Sequence, residues 1–364
     1  MKQVHLIVAI ILVSLGFGMF LPVRAQEKNA APAEGKKPGQ RNLAILLFEG
    51  VQIIDYTGPF ETFGHVYNDD GPAFNIYTIA EKSAPITTAM GMSVNPKYTF
   101  ENAPEPDVLM IPGGGVRQHL DNAVVIKWIQ DKSRSAEIVL SVCNGAFFLA
   151  KAGLLDGLEA TTTAGLIPDL RAMATKTRVV DDRRFVDNGK IITAAGLSSG
   201  IDGALHVIER LFGRGTAQMS ALGMEYNWNP ESKYARAALA DKFLRFDYDV
   251  KVVAGGWKPL SREGDRTWWE NRWLVTTEST PTEVMDQINA TLAAGKTYDN
   301  SSNIKWTRVD ATAHSNGLQS SWLFADEKGA NWSGTARIET VAGEKNRFML
   351  SVKVVRAEAR PAAK

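Results

Sequence analysis

The chain has 364 residues, 45% of them hydrophobic and 22% charged, which supplies more than one packed core and excludes a disordered chain. With 41 Lys and Arg against 40 Asp and Glu, there is no global field to gather phosphates or anionic lipid, so a nucleic-acid partner is not expected. A single cysteine, Cys143, excludes an internal disulfide, and the five scattered histidines show no metal-ligand spacing, so neither a metal nor another cofactor is expected.

Lys2 is followed by an uncharged apolar run over residues 6–21, then Pro22 and Val23-Arg24-Ala25. This reads as a signal peptide over residues 1–25 cleaved before Gln26, and it implies a periplasmic or secreted protein. The run of 16 residues is shorter than the roughly 20 a spanning helix needs, so no stable membrane span is expected after cleavage; an uncleaved anchor is the alternative. Loss of Lys2 and Arg24 would leave 39 basic against 40 acidic residues.

Residues 26–41 are rich in Ala, Pro, Gly and Lys and read as a flexible linker. Order is expected from Asn42. The continuous apolar run 43–48 has the character of a buried parallel strand, and a helix is expected from Gly58, with Pro59 at its first position. Further strands are expected over 74–79, 108–111, 137–142 and 190–194, and helices over 124–132, 146–152 and 203–212. Strands alternating with helices mean βαβ units and a largely parallel sheet.

From about residue 250 the composition changes, and seven of the nine tryptophans lie beyond it. Thr280-Pro281-Thr282-Glu283 is a capping box that opens a helix with Val284, Ile288 and Leu292 on one face. Strands are expected over 303–313, 318–326, 331–341 and 347–355, with Asn316-Gly317 as a hairpin turn. The expected architecture is therefore an α/β domain over 42–229, followed by a smaller α+β domain with antiparallel strands over 250–356.

The chemistry concentrates where strand 137–142 meets the following helix. Cys143-Asn144-Gly145 leaves room only for a sharp turn, which exposes the thiol at the carboxyl edge of the sheet and aims helix N–H groups at sulfur. That placement is expected to favour thiolate, the nucleophilic form; the bland alternative is a buried core cysteine. Asp55 follows the first strand, and loops after neighbouring strands of a doubly wound sheet meet at one edge, so it can reach Cys143 across 88 residues of sequence. It would act as acid or base toward the thiol, or else as a plain helix cap. Glu61 is expected on a solvated face. The N–H groups of Gly114, in Pro112-Gly113-Gly114-Gly115, and of Asn144 are candidates for an oxyanion hole, although glycines there also suit an ordinary tight turn.

Four separated segments, FEGVQIIDYTGPFETF, DVLMIPGGG, VLSVCNGAFFLAKAGLLDGLEATT and ITAAGLSSGIDGALHVIERLFG, resemble the ThiJ/PfpI superfamily, which is related to class I glutamine amidotransferases. Within it they look most like the isonitrile hydratase branch and the amidase-like domain of AraC-type regulators. The resemblance covers residues 42–229 and implies a flavodoxin-like domain with helices on both faces of its sheet, usually a homodimer, with Cys143 as nucleophile and Asp55 as its acidic partner. It also implies oxyanion donors at Gly114 and Asn144 and, from motif position alone, Thr163 and Ser198 lining the pocket. Two departures stand out. Asn144 occupies the place of a threonine usual in the hydratases, and Thr163 that of a histidine found in many relatives, which removes a Cys-His dyad. Where the AraC-type relatives continue into a helix-turn-helix pair, this chain continues into strands.

The reading that follows is an exported cysteine-dependent hydratase or hydrolase acting on a small electrophilic molecule. The alternative is a non-catalytic ligand-binding or redox-sensing module on the same fold. A third places the function in tryptophans exposed on the second domain, against the ordinary expectation that they form its core.

Overall fold

The computed structural model describes residues 36–233, 239–244, 248, 250–295, 304–314 and 317–357; the leader, and the linker before residue 36, lie outside these. Seven strands form the first sheet: β1 (Arg41–Leu46), β2 (Phe74–Ala80), β3 (Tyr98–Thr99), β4 (Val108–Ile111), β5 (Ile138–Val142), β6 (Phe185–Asp187) and β7 (Ile191–Ala194). Their spatial order is β6-β7-β5-β4-β1-β2-β3, and every neighbouring pair is parallel except β6 with β7. β4, β5 and most of β1 are buried throughout, which is why they read as unbroken apolar runs. This is the flavodoxin-like sheet expected.

Among the described residues six helices accompany it: α1 (Ile53–Gly64), α2 (Ala123–Ser135), α3 (Ala146–Lys151), α4 (Ile167–Met173), α5 (Ser199–Phe212) and α6 (Arg214–Gly223). They pack as two groups, α1 with α5 and α6, and α2 with α3 and α4. The Asn122 carboxamide caps α2 by accepting from the N–H groups of Val124 and Val125. α1 corrects the sequence expectation. It begins at Ile53, and Pro59 lies inside it rather than at its first position. The ring removes only the bond to the Asp55 carbonyl, one turn from the start, so the helix carries on and Asp55 falls in its first turn.

In the register of the sheet, Ile45 lies beside Met110, Ile111 beside Ser141 and Val142 beside Ala194. The chain therefore leaves β1, β4, β5 and β7 at one edge, and the residues just past those ends become neighbours.

The second domain holds a six-stranded antiparallel sheet of β8 (Trp257–Gly264), β9 (Trp268–Thr276), β10 (Thr307–His314), β11 (Gly317–Ala325), β12 (Asn331–Thr340) and β13 (Arg347–Arg356), ordered β8-β9-β13-β12-β11-β10. Sequence reasoning anticipated four of the six. β8 was not foreseen because none of its residues is buried, it carries Pro259 and it shows no buried alternation. β9 was not foreseen because its adjacent Trp268 and Trp269 hide its period of two. The hairpin residues 315–316 lie outside the described part, while the His314–Gly317 pairing across the turn is present. Helix α7 (Pro281–Ala293) opens with the expected capping box, Thr280 and Glu283 each satisfying the other's backbone, and packs on β11 and β12. Trp273, Trp306, Trp322 and Trp332 are buried in the core of this domain, so most of its tryptophans are core rather than display.

Candidate active site

Val142 is still in extended conformation, and the next residue, Cys143, has φ of 56°, a left-handed value unusual for a side chain. The chain reverses there into a single 3-10 turn, Cys143–Gly145, and then α3. Only glycine fits the third place, because a Cβ on Gly145 would stand 2.2 Å from the carbonyl oxygen of Ile111. Two bonds hold the strained residue. Its N–H donates to the Ala195 carbonyl at 3.0 Å, and its carbonyl accepts from the Thr162 hydroxyl at 2.8 Å. The half-buried thiol is thereby presented at the carboxyl edge of the sheet.

Asp55 arrives from α1 and is wholly buried. Its Oδ2 accepts from the Gly113 N–H at 3.1 Å, while Oδ1 is buried without a hydrogen-bond partner. The Cys143 thiol and the Leu197 N–H are the other groups the carboxyl faces. Burial is the largest influence on this acid and raises it to about 6, against the opposing pull of those donors. The thiol is pushed up to about 12, first by burial and then by the Asp55 carboxylate beside it; the Asn144 N–H and the Thr163 hydroxyl act in the opposite direction. This corrects the expectation of a favoured thiolate: desolvation and a neighbouring negative charge outweigh the turn's N–H groups. At neutral pH the pair holds one proton, on sulfur, with a carboxylate next to it.

The glycine loop after β4 closes the site. The Gln52 N–H donates to the Gly113 carbonyl and the Gly115 N–H to the Gly50 carbonyl, both at 2.8 Å, tying the loop to the entry of α1. The Asn144 carboxamide grips Gly114 twice, accepting from its N–H at 2.7 Å and donating to its carbonyl at 2.8 Å. All three N–H groups of Gly113, Gly114 and Gly115 therefore have internal partners, Asp55, Asn144 and Gly50. The Gly114 N–H does not point into a vacant oxyanion position, and of the two donors suggested by sequence only the Asn144 N–H faces the sulfur. Gly113 is required by space, since a Cβ there would stand 2.3 Å from Asn144 Oδ1 and 2.8 Å from Asp55 Oδ2.

Thr163 stands beside the thiol. Ser198 does not; it is exposed and accepts from Arg184 at 3.1 Å, and Arg184 is in turn paired with the buried Asp202, which also accepts from Tyr226 at 2.9 Å. Glu61 lies on the surface with His65, as expected. His119 bonds the Glu49 carbonyl, and His206 stacks on Phe185 between Asp187 and Glu209, so neither belongs to the site. Three contributors escaped sequence reasoning: Thr162, Gly113 and Leu197. Of these, only the glycine gave a signal, as part of the loop already singled out.

Residues 41–210 match the DJ-1/PfpI family. The chain is 35% identical over 188 residues to the isonitrile hydratase of Pseudomonas putida, covering 50% of this chain and 78% of that protein. It is 25% identical over 192 residues to an HTH-type transcriptional regulator of Pseudomonas aeruginosa, covering 50% of each chain. Among solved structures, a ThiJ/PfpI family protein from Pseudomonas syringae aligns with a TM-score of 0.47 and 27% identity, covering 59% of this chain and 85% of that one.

Proposed function

Because the chain belongs to the DJ-1/PfpI family, we propose that it is a cysteine-dependent hydratase that adds water to an isonitrile carbon, with Cys143 as nucleophile and Asp55 as the group that moves the proton. The observation that carries this reading is the buried thiol–carboxyl pair: a protonated sulfur beside a carboxylate raised toward neutrality is a nucleophile with its base already in place.

The steps balance without any further group. Asp55 takes the thiol proton as sulfur bonds to the terminal carbon of R–N≡C, then returns that proton to the same carbon, giving a thioimidate. Water adds to this carbon while Asp55 accepts its proton. The carbon–sulfur bond then breaks, sulfur is reprotonated, and the released imidic acid tautomerises to the N-substituted formamide.

The glycine loop favours this chemistry over acyl transfer. Hydrolysis of an amide or ester builds charge on a carbonyl oxygen in its first step and draws on preorganised donors. Here the loop's three N–H groups are engaged elsewhere. Addition of sulfur to an isonitrile carbon builds charge on that carbon, which a proton returned by Asp55 neutralises without N–H donors. The regulator reading has less support, since the described residues after 250 form an antiparallel sheet with one helix rather than a helix-turn-helix pair.

Export through the leader at residues 1–25, a two-subunit assembly, and a domain division at 42–229 and 250–356 belong to the same proposal. The deciding experiment follows formamide formation from an alkyl isonitrile. Turnover by the wild type and its loss in Cys143→Ser and Asp55→Asn are expected; full activity in Cys143→Ser would sink the reading.

A further inference from the structure

The turn after β7 reaches Cys143 itself and two of the groups around its sulfur, Thr163 and Asp55. Ala195 accepts from the Cys143 N–H at 3.0 Å, and a Cβ on Gly196 would stand 2.5 Å from the Thr163 hydroxyl. The Leu197 N–H faces the Asp55 carboxyl. Leu197 also has φ of 55°, a left-handed conformation that glycine adopts freely and leucine does not, and its side chain is 47% exposed. A strained backbone carrying an apolar side chain into water benefits neither the turn nor the core. Strain of this kind persists where a site uses it.

Two more apolar side chains stand at this edge. Ile54, the residue before Asp55, is 37% exposed. It comes together with Ile201, for a Cβ placed on Gly58 would lie 3.8 Å from Ile54 Cγ1 and 3.0 Å from Ile201 Cγ1. Arg184 and Asp202, the charged pair beside the turn, satisfy each other.

We propose that Leu197 is a specificity residue of the Cys143 site, packing against the apolar body of the substrate, so that the site takes electrophiles with an aliphatic or aromatic body over compact or hydroxylated ones. This rests on Cys143 being the reacting group. The strained turn directs the Leu197 amide toward the Asp55 carboxyl while its side chain stays exposed, so one residue joins recognition of the body to the site.

The test exploits the single cysteine. In the full chain, Cys143 alkylation by N-cyclohexylmaleimide is measured relative to iodoacetamide, in wild type, Leu197→Gly and Leu197→Asn, the last because Asn also tolerates the left-handed region. The ratio should fall about tenfold in both variants, as expected for loss of one hydrophobic contact. Leu197→Gly should melt no lower than wild type, which separates a lost contact from unfolding. An unchanged ratio overturns the proposal, and does so even where isonitrile turnover depends on Cys143 and the hydratase reading stands. A lowered ratio in a protein that turns over no isonitrile keeps the apolar entrance and removes the hydratase reading. A shift in oligomeric state with the ratio unmoved assigns Leu197 to a subunit contact and also overturns it.

Discussion

Replacing Asp55 by asparagine should make Cys143 more reactive toward a small alkylating agent while making the protein a worse catalyst. A thiol at about 12 is ionised to roughly one part in ten thousand at pH 8. A unit charge about 4 Å away in a medium of effective dielectric about 20 contributes at most about 4 kcal/mol, or roughly 3 pKa units. Burial is the larger influence on the thiol, so removing the carboxylate lowers it only part of the way back toward its ordinary range. A fall of about one to two units raises the thiolate fraction at pH 8 by about ten- to a hundredfold. The weaker basicity of that thiolate returns roughly the square root of the gain as lost nucleophilicity. The net expectation is an alkylation rate about three- to tenfold faster in Asp55→Asn at pH 8, with its inflection at lower pH than in wild type. Isonitrile turnover should fall at least about a hundredfold, the ordinary loss on removing a general base. Stopped-flow alkylation between pH 6 and 10, beside a turnover assay, reads both. An alkylation rate equal to or below wild type in a folded variant would refute the electrostatic account of the pair.

Asp55 also ties stability to pH. Its folded-state value near 6 lies above the ordinary 3.8, so its contribution is fully present below about 4 and is lost as pH rises through about 6. Asp55→Asn should match wild type in thermal melts near pH 4 and exceed it at pH 7.5 by up to about 3 kcal/mol. Gly113→Ala should destabilise by about 1–3 kcal/mol in denaturant titration, because the added methyl meets both Asn144 and Asp55, and it should alter the alkylation profile as the carboxyl is displaced. Thr280→Ala removes one half of the α7 capping box and should lower stability by about 1 kcal/mol while leaving Cys143 alkylation unchanged.

The sequence carried the architecture of the first domain because buried parallel strands advertise themselves. Residues 138–142 and 108–111 have no polar face to hide, and the chain has few ways to turn from Val142 into a helix across Cys143-Asn144-Gly145. It carried the meeting of Asp55 and Cys143 for a topological reason, since residues past the ends of parallel neighbours share an edge. It misplaced the start of α1, because a proline was read as a beginning when only its distance from the helix start decides what it disrupts. Hydrogen-bond direction was illegible. Nothing in the order Gly113, Gly114, Gly115 tells which N–H groups are taken, and the answer depends on a carboxamide 30 residues away. The sign of the thiol shift was illegible too, because it is a contest between burial and a turn's N–H groups that only the geometry decides.

That sign supports the proposed hydratase reading over the sensor reading. An oxidant sensor works through thiolate, and sensor cysteines are held low and accessible so that peroxide finds them ionised. Cys143 is the reverse, half-buried and kept protonated by a carboxylate that repels any second negative charge. Such a thiol is quiet in the resting protein and becomes nucleophilic only when an electrophile sits close enough for bond formation to proceed with proton transfer to Asp55. The reaction then depends on the substrate's presence rather than on a standing thiolate, and the same carboxyl that suppresses the free thiol receives its proton. A site arranged in this way is poorly suited to registering peroxide and well suited to adding sulfur to a bound carbon.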